Sequence, residues 1–247
     1  MAISTSGLDV IELRTDRSMN VELHLQVFDE ALAAVRAQLE GVRYRGLVDG
    51  ADRDRWAAPP RRAAGERSGG GLLHGFTGST ATWVSLMELL APHCEVIEID
   101  IVGHVQSDAP TEVDRYRMDR CSDDRVSVIA ALGHERASWI GYSMGARTAL
   151  QIAVRHPRAV DALVLEGVTS GFPDAAESAV MVKSDERLAE RIREERLEAF
   201  VDFWQSIGLW DTQASMPKEK LAVLREQRLQ SDPVGLANCL QGMGTGA

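Results

Sequence analysis

The chain has 247 residues, 45% of them apolar and 26% charged, with a formal net charge of -10. That is enough for one α/β domain or slightly more, and it excludes a general nucleic-acid binder, which needs a basic surface. An anionic small molecule would have to be met by a local cluster of arginines.

Taken in order, residues 1–41 read as a strand and helix of their own: Val10-Ile11-Glu12-Leu13-Arg14-Thr15 as the strand, then a helix capped by Asn20. That helix carries Val27, Ala31, Val35 and Leu39 on one stripe, and Gly41 closes it. Val42 to Arg45 is a candidate short strand. From Asp49 to Gly71 the chain is Asp, Arg, Ala, Gly and Pro, with Pro59-Pro60 and Gly69-Gly70-Gly71, so residues 42–71 read as linker or disordered. Residues 72–170 alternate strands and helices. Leu72-Leu73 ends a strand, Trp83, Leu86, Leu89 and Leu90 mark a helix, and Glu95 to Asp100 is the next strand. A helix from Met118 to Leu132, a strand at Ala137 to Ile140, a helix from Ala146 to Arg155 and a strand at Ala162 to Glu166 follow. This alternation implies a mostly parallel sheet covered by helices on both faces, with an uncovered edge at its last strand. Residues 171–247 read as helices at about 185–205, 217–229 and 233–240, a helical lid with Leu188, Ile192, Leu197, Phe200, Phe203 and Trp204 for its buried face. No run approaches the ~20 apolar residues that cross a bilayer. The opening residues show no signal peptide, and Cys94, Cys121 and Cys239 lack metal-ligand spacing, so a cytoplasmic protein with reduced thiols and no metal or cofactor is expected.

The chemistry centres on Gly141-Tyr142-Ser143-Met144-Gly145, between a strand and a helix. This is a nucleophile-elbow signature, in which small neighbours let a strained serine present its hydroxyl; a turn with an incidental serine is the plainer alternative. The amides of Met144, at the helix start, and of Phe76, in the loop His74-Gly75-Phe76-Thr77-Gly78, are the candidate oxyanion hole. Arg147, one helical turn beyond Ser143, is either a carboxylate partner for something bound above the serine or an ordinary surface residue. A serine needs an imidazole oriented by a carboxylate to act as base or nucleophile. The one histidine after Ser143 is His156, about 20 Å along the same helix at 1.5 Å per residue. His74 and His104 sit in turn motifs, so no histidine stands where the chemistry wants one.

His74-Gly75-Phe76-Thr77-Gly78-Ser79 with Trp83, Asp100 before Gly103-His104, Gly141 to Arg147, Leu165-Glu166-Gly167 and Gly242-Met243-Gly244-Thr245-Gly246 together resemble the 2-succinyl-6-hydroxy-2,4-cyclohexadiene-1-carboxylate synthases of menaquinone biosynthesis, which have the α/β-hydrolase fold. The resemblance runs from Leu72 to Ala247. It implies a lyase that eliminates pyruvate from a small polycarboxylate, 2-succinyl-5-enolpyruvyl-6-hydroxy-3-cyclohexene-1-carboxylate, with a serine activated by His and Asp as the base. On this resemblance Ser143 is the base, Phe76 and Met144 the oxyanion amides, and Arg147, Arg228, Tyr142, Trp204 and His74 the substrate contacts. Residues 8–40 resemble the last strand and helix of the thiamine-diphosphate enzyme that makes that substrate, which implies fusion with, or proximity to, the preceding enzyme. Departures are Val105 where the family has Gly, Ser178 near the place of a third arginine, and Ile207-Gly208 before Leu209-Trp210. Ala247 falls before the strands that carry the family's Asp and His, so the resemblance implies an incomplete hydrolase fold, inactive by itself. A general serine esterase and a non-catalytic fragment are the alternatives.

Overall fold

The computed structural model describes residues 2–5, 8–13, 68–169, 171–213 and 216–246, with side chains from Ser68 onward except Thr212. The expected helix after Asn20, the short strand at Val42 and the linker before Ser68 lie outside the described residues.

Six strands form one sheet in the order β1-β2-β6-β5-β3-β4. They are β1 (Ala2–Thr5), β2 (Leu8–Leu13), β3 (Gly69–Leu73), β4 (Glu95–Ile99), β5 (Ala137–Tyr142) and β6 (Val160–Glu166). From β2 to β4 every neighbouring pair is parallel, and β1 returns antiparallel on β2. The edge expected to be bare at β6 is occupied: β2 runs along it in parallel, with Asp9 opposite Ala162 and Leu13 opposite Glu166.

The α-helices among the described residues are α1 (Val84–Leu90), α2 (Met118–Ala131), α3 (Met144–Arg155), α4 (Ala175–Glu194), α5 (Leu197–Ser206), α6 (Lys218–Arg228) and α7 (Pro233–Met243). One face of the sheet buries Trp139, Leu163 and Leu165 against Ala146, Ala149, Ile152 and Ala153 of α3. The other buries Leu72, Ile140 and Val164 against Trp83, Leu86 and Leu90. Trp83 and Trp139 are 1% and 0% exposed. A side chain of that size removes 150–250 Å² from water, about 5 kcal/mol of transfer free energy before entropy.

Two expectations shift. The triple glycine at 69–71 is central strand rather than loop, buried at every position. Glycine is depleted in strands because it packs nothing, but here the neighbours fill its space: a Cβ on Gly71 would lie 2.5 Å from the Trp139 ring. The long lid helix divides. Asp174 caps α4 by accepting from the Ala176 amide at 2.8 Å, and extended Glu195 and Arg196 separate it from α5. That break lets Phe200 and Val201 of α5 join Ala189 and Ile192 of α4 and Leu236 and Leu240 of α7 in one core.

Candidate active site

β5 ends at Tyr142 and α3 begins at Met144, which leaves Ser143 alone to reverse the chain, at φ 53° and ψ −113°. A non-glycine residue there costs on the order of 1–3 kcal/mol and persists only where its surroundings over-determine it. They do. The Ser143 amide donates to the Glu166 carbonyl at the end of β6 at 2.8 Å, and the Ser143 carbonyl accepts from the Arg147 amide at 3.1 Å. Gly145 makes the close approach possible, since a Cβ on it would fall 2.1 Å from the Leu73 carbonyl oxygen. The elbow expected from the pentapeptide is therefore present, with its serine half-buried.

The loop after β3 lies against it, for a Cβ on Gly75 would stand 3.3 Å from that of Ser143. Among the described residues neither the Phe76 nor the Met144 amide donates a hydrogen bond within the protein. Met144 is the first residue of a twelve-residue helix, so its orphan N–H adds the positive end of the dipole. The neighbouring Thr77 amide is engaged: it donates to His104 Nε2 at 3.2 Å and holds Thr77 at φ 61°.

His74 and His104 form a reciprocal pair. His74 Nε2 accepts from the Ile101 amide at 3.0 Å and Nδ1–H donates to the Gly75 carbonyl at 2.8 Å. His104 Nε2 accepts from Thr77, while Nδ1–H donates to the Val102 carbonyl at 3.3 Å. Each imidazole thus supports the other's loop, with centroids 5.1 Å apart and both rings fully buried. Burial lowers His74 to about 4, against its bond to Gly75, with the Arg125 charge lowering it further. Burial and then the neighbouring His74 lower His104 to about 3. Both are neutral at physiological pH, so the 3.7 Å approach of His74 Nε2 to Asp100 is not an ion pair. In this arrangement both ring nitrogens of His74, expected as a substrate contact, are bonded to backbone and hold the two loops together.

No side chain among the described residues hydrogen-bonds the Ser143 hydroxyl. His134 reaches Glu95 at 3.1 Å and His156 reaches Asp123 at 2.6 Å, at the far end of α3. Histidine 24 lies outside the described residues. No group of three or more His, Cys, Asp or Glu among the described residues is placed to hold a metal, and the three cysteines are buried with no disulfide among them.

The two arginines expected as carboxylate clamps have different fates. Arg147 NH1 donates to the Gly244 carbonyl at 2.7 Å and NH2 to that of Met243, so it caps the carboxyl end of α7. Burial lowers its pKa, with Asp185 opposing. In this arrangement Arg147 ties the elbow helix to the last lid helix. Ser178, near the place of the third arginine, donates to the Gly246 carbonyl at 3.0 Å.

Arg228, at the end of α6, is 6% exposed with no salt bridge and no side-chain hydrogen bond among the described residues, and NH1 is buried without a partner. Its guanidinium carbon lies 4.7 Å from the centroid of the Trp210 ring. Burial lowers its pKa, with only the Tyr142 phenol opposing. The Tyr142 phenol is raised by burial and then by Glu166, against Arg228, so the cation acts on the residue next to Ser143. Trp204 crosses Phe76 edge to face at 5.3 Å and stacks on Phe200 at 6.1 Å, which joins the lid to the oxyanion loop. Trp210, unremarked in the sequence beyond its odd preceding residues, meets Trp204 at 6.0 Å. A second buried cation, Arg125, bonds the Cys121 carbonyl through NH1 at 3.2 Å. Its Nε and NH2 have no partner among the described residues.

A family model described as the alpha/beta hydrolase fold matches residues 72–206. The chain is 40% identical over 175 residues to the putative 2-succinyl-6-hydroxy-2,4-cyclohexadiene-1-carboxylate synthase of Bacillus subtilis (strain 168), covering 71% of this chain and 64% of that protein. It is 26% identical over 182 residues to Protein PHYLLO, chloroplastic, of Arabidopsis thaliana, covering 71% of this chain and 10% of that protein. The solved structure of MenH from S. aureus superposes with a TM-score of 0.69 at 26% identity, covering 75% of this chain and 70% of that one. The chain thus spans less than two thirds of the length of these two curated relatives. Among the described residues no helix is long and apolar enough to cross a membrane.

Proposed function

The chain belongs to the α/β-hydrolase-fold family, and on that premise we propose that it is a lyase of menaquinone biosynthesis eliminating pyruvate from 2-succinyl-5-enolpyruvyl-6-hydroxy-3-cyclohexene-1-carboxylate. The names of its relatives support this reading. The observation that carries it is Arg228, a buried cation without an anion, within electrostatic reach of the elbow's Tyr142. Such a group is costly to leave unpaired and is complementary to a carboxylate-bearing substrate, whereas a neutral ester gives it no partner.

In this reaction the Ser143 oxygen takes the ring proton beside the succinyl ketone. The electron pair moves toward that ketone, whose oxygen gains charge that the Phe76 and Met144 amides can receive. The ring double bond then shifts, and the carbon–oxygen bond to the enolpyruvyl group breaks; the enolate that leaves takes up a proton on its methylene carbon to become pyruvate. Ser143 requires a proton acceptor; the imidazoles of His74, His104, His134 and His156 are engaged elsewhere, and His93 is exposed in the turn before β4. Buried cysteines with no disulfide among them fit a cytoplasmic setting. We extend the proposal to fusion with, or proximity to, the preceding enzyme, on the likeness of residues 8–40 to that enzyme's last strand and helix.

The test is pyruvate release from that substrate by residues 1–247 and by Ser143→Ala. Release that the substitution abolishes supports the lyase. Hydrolysis of a p-nitrophenyl ester with no pyruvate release sinks it in favour of a general serine esterase.

A further inference from the structure

We propose that Trp210 is a specificity-determining residue of the lid, whose indole N–H joins Arg228 in binding a planar carboxylate of the substrate. The inference rests on the polycarboxylate reading above and adds to it a residue and a donor.

Three buried nitrogen donors of the lid lack partners among the described residues: Arg228 NH1, Trp204 Nε1 and Trp210 Nε1. They belong to side chains in continuous contact. The guanidinium lies over the Trp210 ring at 4.7 Å, and Trp210 meets Trp204 edge to face at 6.0 Å and 72°. Buried indole N–H groups ordinarily find an acceptor, and leaving one without costs about 1–3 kcal/mol. A cluster made only of donors, one of them charged, is complementary to an acceptor-only group, and an ionised carboxylate is that group. Trp210 also pins the guanidinium by cation–π contact, which reduces the conformational freedom lost on binding. It stands in the 3₁₀ segment Gly208–Gln213, next to the irregular Ile207-Gly208, so its placement depends on the feature by which the sequence departs from the resembling family.

The probe is succinate, titrated by calorimetry into residues 1–247 and into Trp210→Phe, Trp210→Tyr and Arg228→Gln, with urea midpoints recorded for each. Trp210→Phe keeps an aromatic face under the guanidinium and removes only the N–H. It should weaken succinate about tenfold, the loss of one hydrogen bond to a charged acceptor, while Trp210→Tyr, which returns a ring donor, recovers part of that loss. Arg228→Gln should abolish binding. If Trp210→Phe binds as the parent does while Arg228→Gln fails, the role of Trp210 is overturned and the polycarboxylate reading stands. If Arg228→Gln binds like the parent, or the parent does not bind succinate at all, both fall. Inorganic phosphate bound as tightly as succinate, with equal sensitivity to Trp210→Phe, would overturn the planar-carboxylate assignment.

Discussion

The floor beneath Ser143 and the lid above it carry strain of different kinds. The three non-glycine residues with positive φ among the described residues, Thr77, Val105 and Ser143, all lie in the floor. There the imidazole nitrogens of His74 and His104 are nonetheless fully engaged. The lid has no such backbone outlier among its described residues, yet it leaves Arg228, Trp204 and Trp210 with unpartnered donors. Strained backbone held by satisfied hydrogen bonds is what a preorganised oxyanion site needs, because the amides must not relax when charge develops. Unsatisfied donors in a regular scaffold are what a ligand completes.

Acid is the strongest way to break the floor. His74 near 4 and His104 near 3 stand below an ordinary 6.5. The unfolded chain therefore binds protons that the folded chain does not as the pH falls through 6.5. Stability present above pH 6.5 is lost below it, down to about 4 for His74 and about 3 for His104. At pH 5 the two together should cost roughly 4 kcal/mol. Urea unfolding at pH 7.5 and 5 measures this, and His104→Gln, whose amide oxygen can still accept from Thr77, should remove about half the slope. A flat profile would mean that the imidazoles are not held neutral. Next in size is Gly145→Ala, which sets a Cβ 2.1 Å from the Leu73 carbonyl oxygen. Backbone on both sides must move, so a loss of about 3 kcal/mol is expected, read from the urea midpoint at pH 7.5.

The contrast also explains what the sequence revealed. The elbow, the Phe76 loop and the alternating core were legible because close-packed backbone demands specific small residues at fixed spacing. Arg228 was legible through resemblance alone, and its isolation is a tertiary fact. The contact of Arg147 with the last lid helix was not legible, because the carbonyls of Met243 and Gly244 that it meets are 96 and 97 residues away and carry no side-chain signature. Gly69 to Gly71 misled because glycine marks both loops and strands crowded by large neighbours; Trp139 decides between them. The pairing of β2 with β6 joins two ordinary apolar runs, and nothing in either names the other.

In the lid the corresponding substitution should stabilise. Arg228→Met replaces a cation buried without an anion by an apolar side chain of similar length. Relief of desolvation should exceed the lost cation–π contact with Trp210, raising stability by about 1–2 kcal/mol. The same variant should lose succinate binding. Stability gained together with binding lost would mark the site as functionally strained, whereas a loss of stability would mean that the lid already satisfies Arg228.

The smallest effect returns to the floor. Val105 follows the fully buried His104 at φ 42°, a region where a β-branched side chain crowds its own backbone and costs about 1–2 kcal/mol. Val105→Gly removes that strain but releases more freedom in the unfolded chain, roughly 0.5–1 kcal/mol in the opposite sense. The net gain should be about 0.5–1 kcal/mol, near 2 °C in the midpoint of a thermal scan for a chain of this size. It should leave succinate binding unchanged, because the bond by which the neighbouring His104 holds the oxyanion loop, Thr77 N–H to His104 Nε2, does not involve the valine side chain. A destabilising Val105→Gly would show that the valine, half-buried in this turn, contributes more through packing than it loses through strain. The backbone outliers of the floor would then be supported by side chains as well as by hydrogen bonds.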